Sequence, residues 1–241
     1  MINKDSFSYE SYQFPEKLVN YIEKVVDELP WLFLKDCTFG NQDHPLKKES
    51  NPGFTHSFLA TNGKVGPFFN KMPWNLISGI AGLKNNRIFR SHINLLYPRP
   101  DKFNKPFNAH VDNVNPHIVG LYYSSDSDGD TFFFDDDLNI IHREPVKEGK
   151  MIVFNGKWKH SGSAPSKNVR YALNINYEST LRFDDYKNRL NALEDDISKS
   201  KLAEEILINA FEFHSKDNLL EAAYLYEFFL DKGFKDPRVF N

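Results

Sequence analysis

Hydrophobic residues follow a helical spacing near the start of the chain and a strand-like spacing in its middle. In FPEKLVNYIEKVVDELP (residues 14–30), apolar side chains recur three and four positions apart, Pro15 stands in the first turn and Pro30 ends the pattern. This spacing predicts an amphipathic helix. WLFLKD and FTHSFLA predict two strands separated by a polar loop at residues 41–53, and PWNLISGIAGL predicts a second helix packed on the sheet.

Between residues 87 and 177, short runs of Val, Ile, Phe and Tyr alternate with clusters of Gly, Pro, Asp and Asn. The runs are RIFRSHINLLY, HIVGLYYSS, TFFFD, KMIVFNG and VRYALNINY. Several short strands with frequent turns predict a β-sandwich or barrel. The stretch HREPVKEGK, between the third and fourth runs, indicates an exposed turn.

The strand pattern stops after residue 178, and residues 182–233 predict two or three helices with a break at residues 216–218. We therefore expect a mainly β domain with flanking helices (α+β) at residues 1–182, whose core is residues 87–177. A helical extension at residues 183–241 follows. Its helices would cap the sheet or pair two subunits, so a homodimer is one expectation.

Composition excludes several classes of partner. The 241 residues carry a formal charge of −3, which argues against a nucleic-acid binder, and the single cysteine, Cys37, excludes an internal disulfide and fits a reducing compartment. No apolar run approaches the roughly 20 residues that a membrane helix needs, and the first residues contain no apolar signal core. We expect a soluble cytoplasmic protein with no membrane partner.

One spacing suggests a metal site. His110 and Asp112 stand two residues apart, and in a strand their side chains would share one face. A third ligand must come from elsewhere, and His117, His142 and His160 are the candidates. His117 would face a turn and His142 lies in the predicted exposed turn, whereas His160 follows a strand and precedes a run of small residues. Two histidines and one carboxylate form the ligand set of non-haem Fe(II) oxygenases, with three positions left open.

An arginine completes this pattern. Arg170 lies ten residues after His160, on the next predicted strand. A buried arginine needs an anion, and its planar guanidinium binds a carboxylate through two parallel hydrogen bonds. The far carboxylate of 2-oxoglutarate, which chelates such an iron through its other end, would meet that need.

These residues resemble a known family. HVDN (residues 110–113), LYY (121–123), HSGSAPSKNVRYALNINY (160–177) and the upstream LLYP (95–98) occur in the order of the 2-oxoglutarate- and Fe(II)-dependent dioxygenases, most like the prolyl-4-hydroxylase branch. The resemblance covers about residues 87–177. It implies a double-stranded β-helix, or jelly roll, backed by helices.

The resemblance also assigns residues. It implies that His110, Asp112 and His160 bind Fe(II), and that Arg170 binds the distal carboxylate of 2-oxoglutarate. Tyr123 aligns with a tyrosine whose hydroxyl shares that carboxylate, and Tyr97 aligns with one lining the co-substrate pocket. Ascorbate is a candidate additional cofactor.

The implied reaction is hydroxylation of an aliphatic carbon by O2, with release of succinate and CO2, most readily on a prolyl or other peptidyl residue. Asp112 favours hydroxylation over halogenation, since related halogenases replace this ligand with a small residue. Asn176 departs from the aromatic residue that the prolyl-hydroxylase branch often has there. It also departs from the second arginine of nucleic-acid demethylases. The alternatives are a small-molecule hydroxylase or desaturase with the same iron site, and a non-catalytic metal-binding interaction module.

Overall fold

The computed structural model describes most of the chain in two compact units, Met1–Glu178 and Ser179–Asn241. The residues that it describes are 7–38, 50–84, 86–115, 117–178, 189–193, 195–215, 222, 225–226, 228–230 and 232–239. The predicted domain boundary between residues 182 and 183, most of the predicted loop at 41–53 and the predicted helix break at 216–218 lie outside these ranges.

Among its described residues, the first unit contains two α-helices and ten strands. Helix α1 is Glu16–Asp27 and helix α2 is Trp74–Ile80. The strands are β1 (Tyr9–Gln13), β2 (Leu32–Leu34), β3 (Gly53–Leu59), β4 (Ile88–Leu96), β5 (His117–Tyr123), β6 (Thr131–Phe134), β7 (Ile140–Glu144), β8 (Lys150–Asn155), β9 (Lys159–Gly162) and β10 (Arg170–Glu178).

The strands form two antiparallel sheets. The larger has seven strands in the order β1-β8-β5-β10-β4-β3-β2, and the smaller has three in the order β7-β6-β9. Consecutive strands of the chain repeatedly fall in different sheets or at non-neighbouring positions, as in a Greek-key sandwich. The expectation of a mainly β unit with flanking helices is confirmed.

Besides the four-residue edge strand β9, two strands lie where the sequence pattern gave none. β1 pairs with β8 as the outer strand of the large sheet, and β7, which contains His142, pairs with β6. The prediction of an exposed turn at residues 142–150 is therefore wrong at its start. Both strands lie at sheet edges and keep many side chains exposed, so they lack the alternation of apolar residues that marks a strand with one buried face.

Two hydrophobic cores flank the large sheet. On one face, α1 buries Val19, Ile22, Val25 and Val26, and this cluster extends to Ile77 of α2 and to Tyr122 of β5. On the opposite face, between the sheets, Tyr123 joins a second cluster with Phe133 of the small sheet. Tyr122 and Tyr123 thus lie on opposite faces of the sheet, as neighbouring residues of a strand do.

The second unit has a helical core of its own. Helix α3 (Asp196–Ser215) buries an apolar stripe that packs with Leu225 and Phe229, and the members of the stripe are Leu202, Ala203, Ile206, Leu207 and Ala210. Among the described residues, no helix combines the length and the apolar character that crossing a bilayer would require.

Candidate active site

A loop that runs beside the small sheet brings two distant histidines together. The N–H of Phe107 donates to the carbonyl of Gly162 at 2.8 Å, and Pro106 forms a β-bridge with Ser163. Further along, the backbones of His110 and His160 exchange two hydrogen bonds, at 3.1 and 2.9 Å. The loop is thus held along β9, and the main chain places His110 directly opposite His160.

Three potential ligand atoms converge at this point. One side-chain nitrogen or oxygen each from His110, Asp112 and His160 all lie within 4.8 Å of one another. The Nε2 atoms of His110 and His160 lie 3.9 and 3.7 Å from the two carboxylate oxygens of Asp112. His110 lies in an isolated bridge and Asp112 in a bend, so the expectation that they share the face of one regular strand is wrong.

Both imidazoles are held by their outer nitrogen. Nδ1 of His110 lies 3.1 Å from the carbonyl oxygen of Asn108, and Nδ1 of His160 lies 3.1 Å from that of Trp158. A carbonyl oxygen only accepts, so each Nδ1 carries a proton, and in a neutral ring Nε2 is then the nitrogen that bears the lone pair. A hydrogen bond of this kind is what fixes the tautomer of a metal-ligating histidine.

Asp112 is oriented by three side chains from the large sheet. Asn174 and Asn176 of β10 donate to its Oδ2 at 2.9 and 3.0 Å. Arg90 of β4 donates to its Oδ1 at 3.2 Å and also to Oδ1 of Asn176 at 3.2 Å. The register Asn176↔Arg90 in the β10–β4 ladder brings these groups side by side.

Charge at the site favours an ionised Asp112 carboxylate beside a neutral His160 imidazole. Burial raises the pKa of the Asp112 carboxyl, but the imidazoles of His160 and His110 and the guanidinium of Arg90 outweigh it, so this pKa falls well below its usual range. Burial lowers the pKa of His160 to about 4 despite the attraction of Asp112. These are the protonation states in which both residue types bind a cation.

Arg170 is a buried arginine without a carboxylate partner within 4.0 Å among the described residues. Its Nη2 donates to Thr131 Oγ1 at 2.8 Å, and its Nε is buried without a hydrogen-bond partner. The Tyr123 hydroxyl lies 2.8 Å from the same Thr131 oxygen, and the guanidinium lies 5.7 Å from the centre of the Tyr123 ring. Gly162 faces the guanidinium, and a Cβ there would approach Nη1 to 3.0 Å.

A cavity of about 120 Å³ joins these groups. Because about 10–15 Å³ of such space holds one water molecule, it has room for a small dicarboxylic acid. His110, Asp112 and His160 line it together with Arg170 and Thr131, and its remaining polar wall includes Arg90, His92, Asn94 and Asn174. Apolar side chains close the rest, namely Leu96, Phe107, Val111, Leu121 and Ala172.

The other sequence candidates lie away from the cavity wall. Tyr123 contacts the cavity through Thr131 and Arg170, and it is not among the lining residues. Tyr97 follows the end of β4 and is also absent from the described lining. His117 is buried at the start of β5, with Nδ1 2.8 Å from the carbonyl oxygen of Asn115, and His142 lies 3.1 Å from Glu144 in β7. The structure thus groups His160 with His110 and Asp112.

Several residues of the site carry no local sequence signal. Asn174 and Asn176 lie 62 and 64 positions from Asp112, and Arg90 lies 22 positions before it. Asn176, which departs from the family pattern, is fully buried against Asp112. One feature of the sequence could have indicated the two asparagines. Arg170, Asn174 and Asn176 are polar residues at even-numbered positions of a buried strand, so they share one face of β10, the face toward the cavity.

Comparison with known proteins supports the fold. No protein-family model matches the sequence, and no curated protein matches it. A 2OG-Fe(II) oxygenase family oxidoreductase from Burkholderia pseudomallei superposes with a TM-score of 0.50 at 14% identity, over 70% of this chain and 84% of that chain. The chain therefore has the fold of the 2OG-Fe(II) oxygenases, and the predicted jelly roll is confirmed.

Two prolyl hydroxylases also match, with lower TM-scores. The prolyl-4-hydroxylase of Pseudomonas putida has a TM-score of 0.47 at 12% identity, over 71% of this chain and 92% of that chain. The prolyl hydroxylase of Trichoplax adhaerens, solved with a peptide fragment of hypoxia inducible factor, has a TM-score of 0.48 at 11% identity, over 79% and 89% of the two chains.

Proposed function

We propose that this protein is an Fe(II)- and 2-oxoglutarate-dependent dioxygenase of the prolyl-4-hydroxylase-like branch, which hydroxylates an aliphatic carbon of a peptidyl residue, proline first. One observation supports this most strongly. A His-Asp-His cluster and a buried arginine without a carboxylate partner within 4.0 Å among the described residues open onto one small cavity.

The donor set fits a ferrous ion. His110 and His160 each turn Nε2 toward the cluster and Nδ1 toward a carbonyl oxygen, and Asp112 presents a carboxylate oriented by two amides. Imidazole and carboxylate suit non-haem iron, and a set of three protein ligands leaves positions for other molecules. In this proposal, His110, Asp112 and His160 hold the metal.

The cavity fits a dicarboxylate co-substrate. Arg170 has a buried Nε without a partner, and leaving a charged donor unsatisfied in the protein interior is costly. A carboxylate of 2-oxoglutarate on the guanidinium would satisfy it. Thr131 accepts a hydrogen bond from the guanidinium. Tyr123 shares a hydrogen bond with Thr131, and its ring packs against the guanidinium.

Bound together, Fe(II) and 2-oxoglutarate would couple oxidative decarboxylation of the keto acid by O2 to hydroxylation of the substrate, releasing succinate and CO2. The chain's own residues fix positions. The carbonyls of Asn108 and Trp158 orient the imidazoles, Asn174 and Asn176 orient the carboxylate, and the apolar wall excludes bulk water, which strengthens each electrostatic contact inside.

Two further functions compete with this one. A small-molecule hydroxylase or desaturase would use the same site. A non-catalytic metal-binding module would need the three ligands but would have no use for the buried Arg170. Ascorbate as an additional cofactor, a homodimer through the C-terminal helices and a cytoplasmic location stay predictions.

The co-substrate anchor gives a direct test. We expect the purified protein to release succinate from 2-oxoglutarate when given Fe(II) and O2, even without substrate, and to lose this activity with a chelator. Arg170→Gln should raise the 2-oxoglutarate concentration for half-maximal release at least about thirtyfold, because losing one partner of a buried charge pair costs about 2 kcal/mol or more. The measurement is succinate released against 2-oxoglutarate concentration.

Arg87→Gln is the matched control, since Arg87 is an exposed arginine paired with Glu178 at the far end of the sheet. It should leave the 2-oxoglutarate requirement unchanged. Binding of Mn(II), followed by paramagnetic resonance, should survive in Arg170→Gln and disappear in Asp112→Ala. Unchanged co-substrate affinity in Arg170→Gln would show that Arg170 is not the anchor.

A further inference from the structure

A second, larger depression opens on the other side of His110. We call it the lysine groove. It has a volume of about 650 Å³, and it shares Phe107, His110 and Val111 with the smaller cavity. This volume lies within the range of about 300–1,000 Å³ of ligand pockets, and it is more than five times that of the cavity. The groove thus has room for a group that the cavity cannot hold.

The described lining of the lysine groove is positively charged. Lys102, Lys105 and Lys159 line it together with one carboxylate, Asp136, which gives a formal net charge of +2. The whole chain has a net charge of −3, so positive charge is concentrated here against the overall balance. A depression lined by one sign of charge raises the local concentration of ligands of the opposite sign.

The lysines stand on backbone that is fixed. The N–H of Lys102 donates to the carbonyl of Arg99 at 2.9 Å, and the N–H of Lys105 donates to the carbonyl of Lys102 at 3.2 Å. Phe103 and Pro106 form bridges with Ala164 and Ser163, so this segment is attached to β9. The backbone therefore places both lysines at defined positions in the segment that leads to His110.

Lys159 is positioned in another way. Its Nζ donates to the carbonyl of Asp136 at 3.2 Å and lies 3.8 Å from the Asp136 carboxylate. This pairing offsets part of its charge and holds the chain that follows β6 against the groove. Lys102 and Lys105 line the same groove.

The groove wall between the lysines is apolar. Phe107, Val111, Phe134 and Leu138 contribute to it, and Leu138 is about half exposed. If the three lysines only formed a solvated rim, an exposed apolar wall beside them would serve no purpose, because apolar surface gains nothing from contact with water. A ligand that fits must carry both apolar and acidic groups.

We propose that the lysine groove binds the acidic flank of a peptide substrate, with Asp or Glu side chains on Lys102 and Lys105 and apolar residues on Phe134 and Leu138. The residue to be hydroxylated would then enter beside His110. This inference rests on the proposed function and specifies its substrate class. A peptide fits better than a free acid, because the groove has more than five times the volume of the cavity and combines lysines with apolar side chains in its lining.

The test compares peptide binding in two charge-reversed proteins. Lys102→Glu/Lys105→Glu changes the groove, whereas Lys64→Glu/Lys84→Glu makes the same change in charge at two exposed lysines outside it. The probes are fluorescein-labelled octapeptides with a central proline, flanked either by Asp and Glu or by Asn and Gln. Fluorescence anisotropy gives the affinity of each, at low and at high salt.

We expect the acidic peptides to bind more tightly than the neutral ones, and the difference to shrink at high salt. The groove variant should lose about tenfold or more in affinity for acidic peptides, because two attractions become repulsions. The control variant should bind as the parent does. Equal affinity for both peptide pools, an equal loss in the control variant, or displacement by free aspartate at peptide concentrations would each overturn the inference.

A second measurement separates this inference from the proposed function. Neither lysine contacts the candidate metal ligands or Arg170 in the described structure, so the groove variant should release succinate from 2-oxoglutarate alone at the parental rate. Absence of succinate release in the parent, with acidic peptides still preferred, would contradict the dioxygenase proposal and leave the groove as a peptide-binding site. Normal release without any preference for acidic peptides would contradict only the groove.

Discussion

The carboxylate of Asp112 has more polar neighbours than either histidine of the cluster. Asn174 and Asn176 donate to one of its oxygens, and Arg90 donates to the other. Groups that orient a metal ligand affect metal affinity almost as much as the ligand itself. These three residues are therefore expected to determine how tightly the candidate site holds an ion.

Asn174 allows a test of that expectation. Asn174→Ala removes one donor to Asp112 while keeping all three candidate ligands, and we expect Mn(II) affinity to fall about 10- to 100-fold. Isothermal titration with Mn(II) measures it. Asn62→Ala, at an exposed turn residue that bonds only to the backbone of Lys64 among the described groups, serves as the control. An unchanged affinity in Asn174→Ala would mean that Arg90 and Asn176 suffice to hold the carboxylate.

The sequence predicts the four central residues because their chemistry is unusual for their positions. His110, Asp112, His160 and Arg170 are polar residues between apolar runs, at spacings that match one metal and one anion. It does not predict the partners of Asp112, because their contacts depend on strand register across 22 to 64 positions. Thr131 was missed for the same reason: its contact with Arg170 spans 39 positions.

At the scale of elements, buried strands could be predicted, whereas of the edge strands only the apolar β2 could. β5, β8 and β10 are rich in Val, Ile and aromatic residues, because both of their faces are covered. β1 and β7 have the sequences YESYQ and IIHRE and are held by main-chain ladders to their neighbours. Main-chain hydrogen bonds do not require any pattern of side-chain polarity, so the sequence pattern does not predict such strands.

Close packing between elements gives a prediction on stability. Gly156 follows β8, and a Cβ there would lie 2.2 Å from Nε2 of His117, the first residue of β5. His117 is buried, so its ring has little room to move. We expect Gly156→Ala to lower the free energy of unfolding by about 1–3 kcal/mol, as other overpacked cores do, measured by chemical denaturation.

Gly79→Ala provides the contrast for that measurement. Gly79 lies inside α2, and a Cβ there would meet nothing within 4 Å. Alanine is favoured over glycine in a helix by about 0.5–1 kcal/mol, so this variant should be slightly more stable than the parent. If Gly156→Ala were as stable as Gly79→Ala, the contact between β5 and the turn after β8 would be looser than described.

At the scale of the whole molecule, the chain has one thiol in 241 residues, so labelling of the intact protein reports on a single position. Cys37 lines the candidate co-substrate cavity. Burial raises the pKa of the Cys37 thiol to about 12, with a further contribution from Asp36 that the Arg170 guanidinium partly opposes. Cys37 is therefore protonated, and unreactive as a nucleophile, at neutral pH.

This pKa predicts slow alkylation. A free cysteine has a pKa of about 8.5, so near that pH the folded protein should react with iodoacetamide about a thousandfold more slowly than a small thiol. Because the thiolate fraction of Cys37 grows only as the pH approaches about 12, the rate should continue to rise through alkaline pH. Mass spectrometry of the intact protein measures the rate, and unfolding in guanidinium chloride should restore rapid labelling. Fast labelling of the folded protein would contradict the raised pKa.

The paired main-chain hydrogen bonds between His110 and His160 have a consequence for which ions the site would accept. They set the separation of the two imidazoles through the peptide backbone, so no cation is needed to draw the donors together. A metal site whose donors are spaced by the backbone can accept more than one kind of cation. Cobalt, nickel and manganese, which accept the same nitrogen and oxygen donors, would find them already spaced. Ions with more informative spectra could therefore be substituted for iron at the candidate site, with no rearrangement of the residues around it.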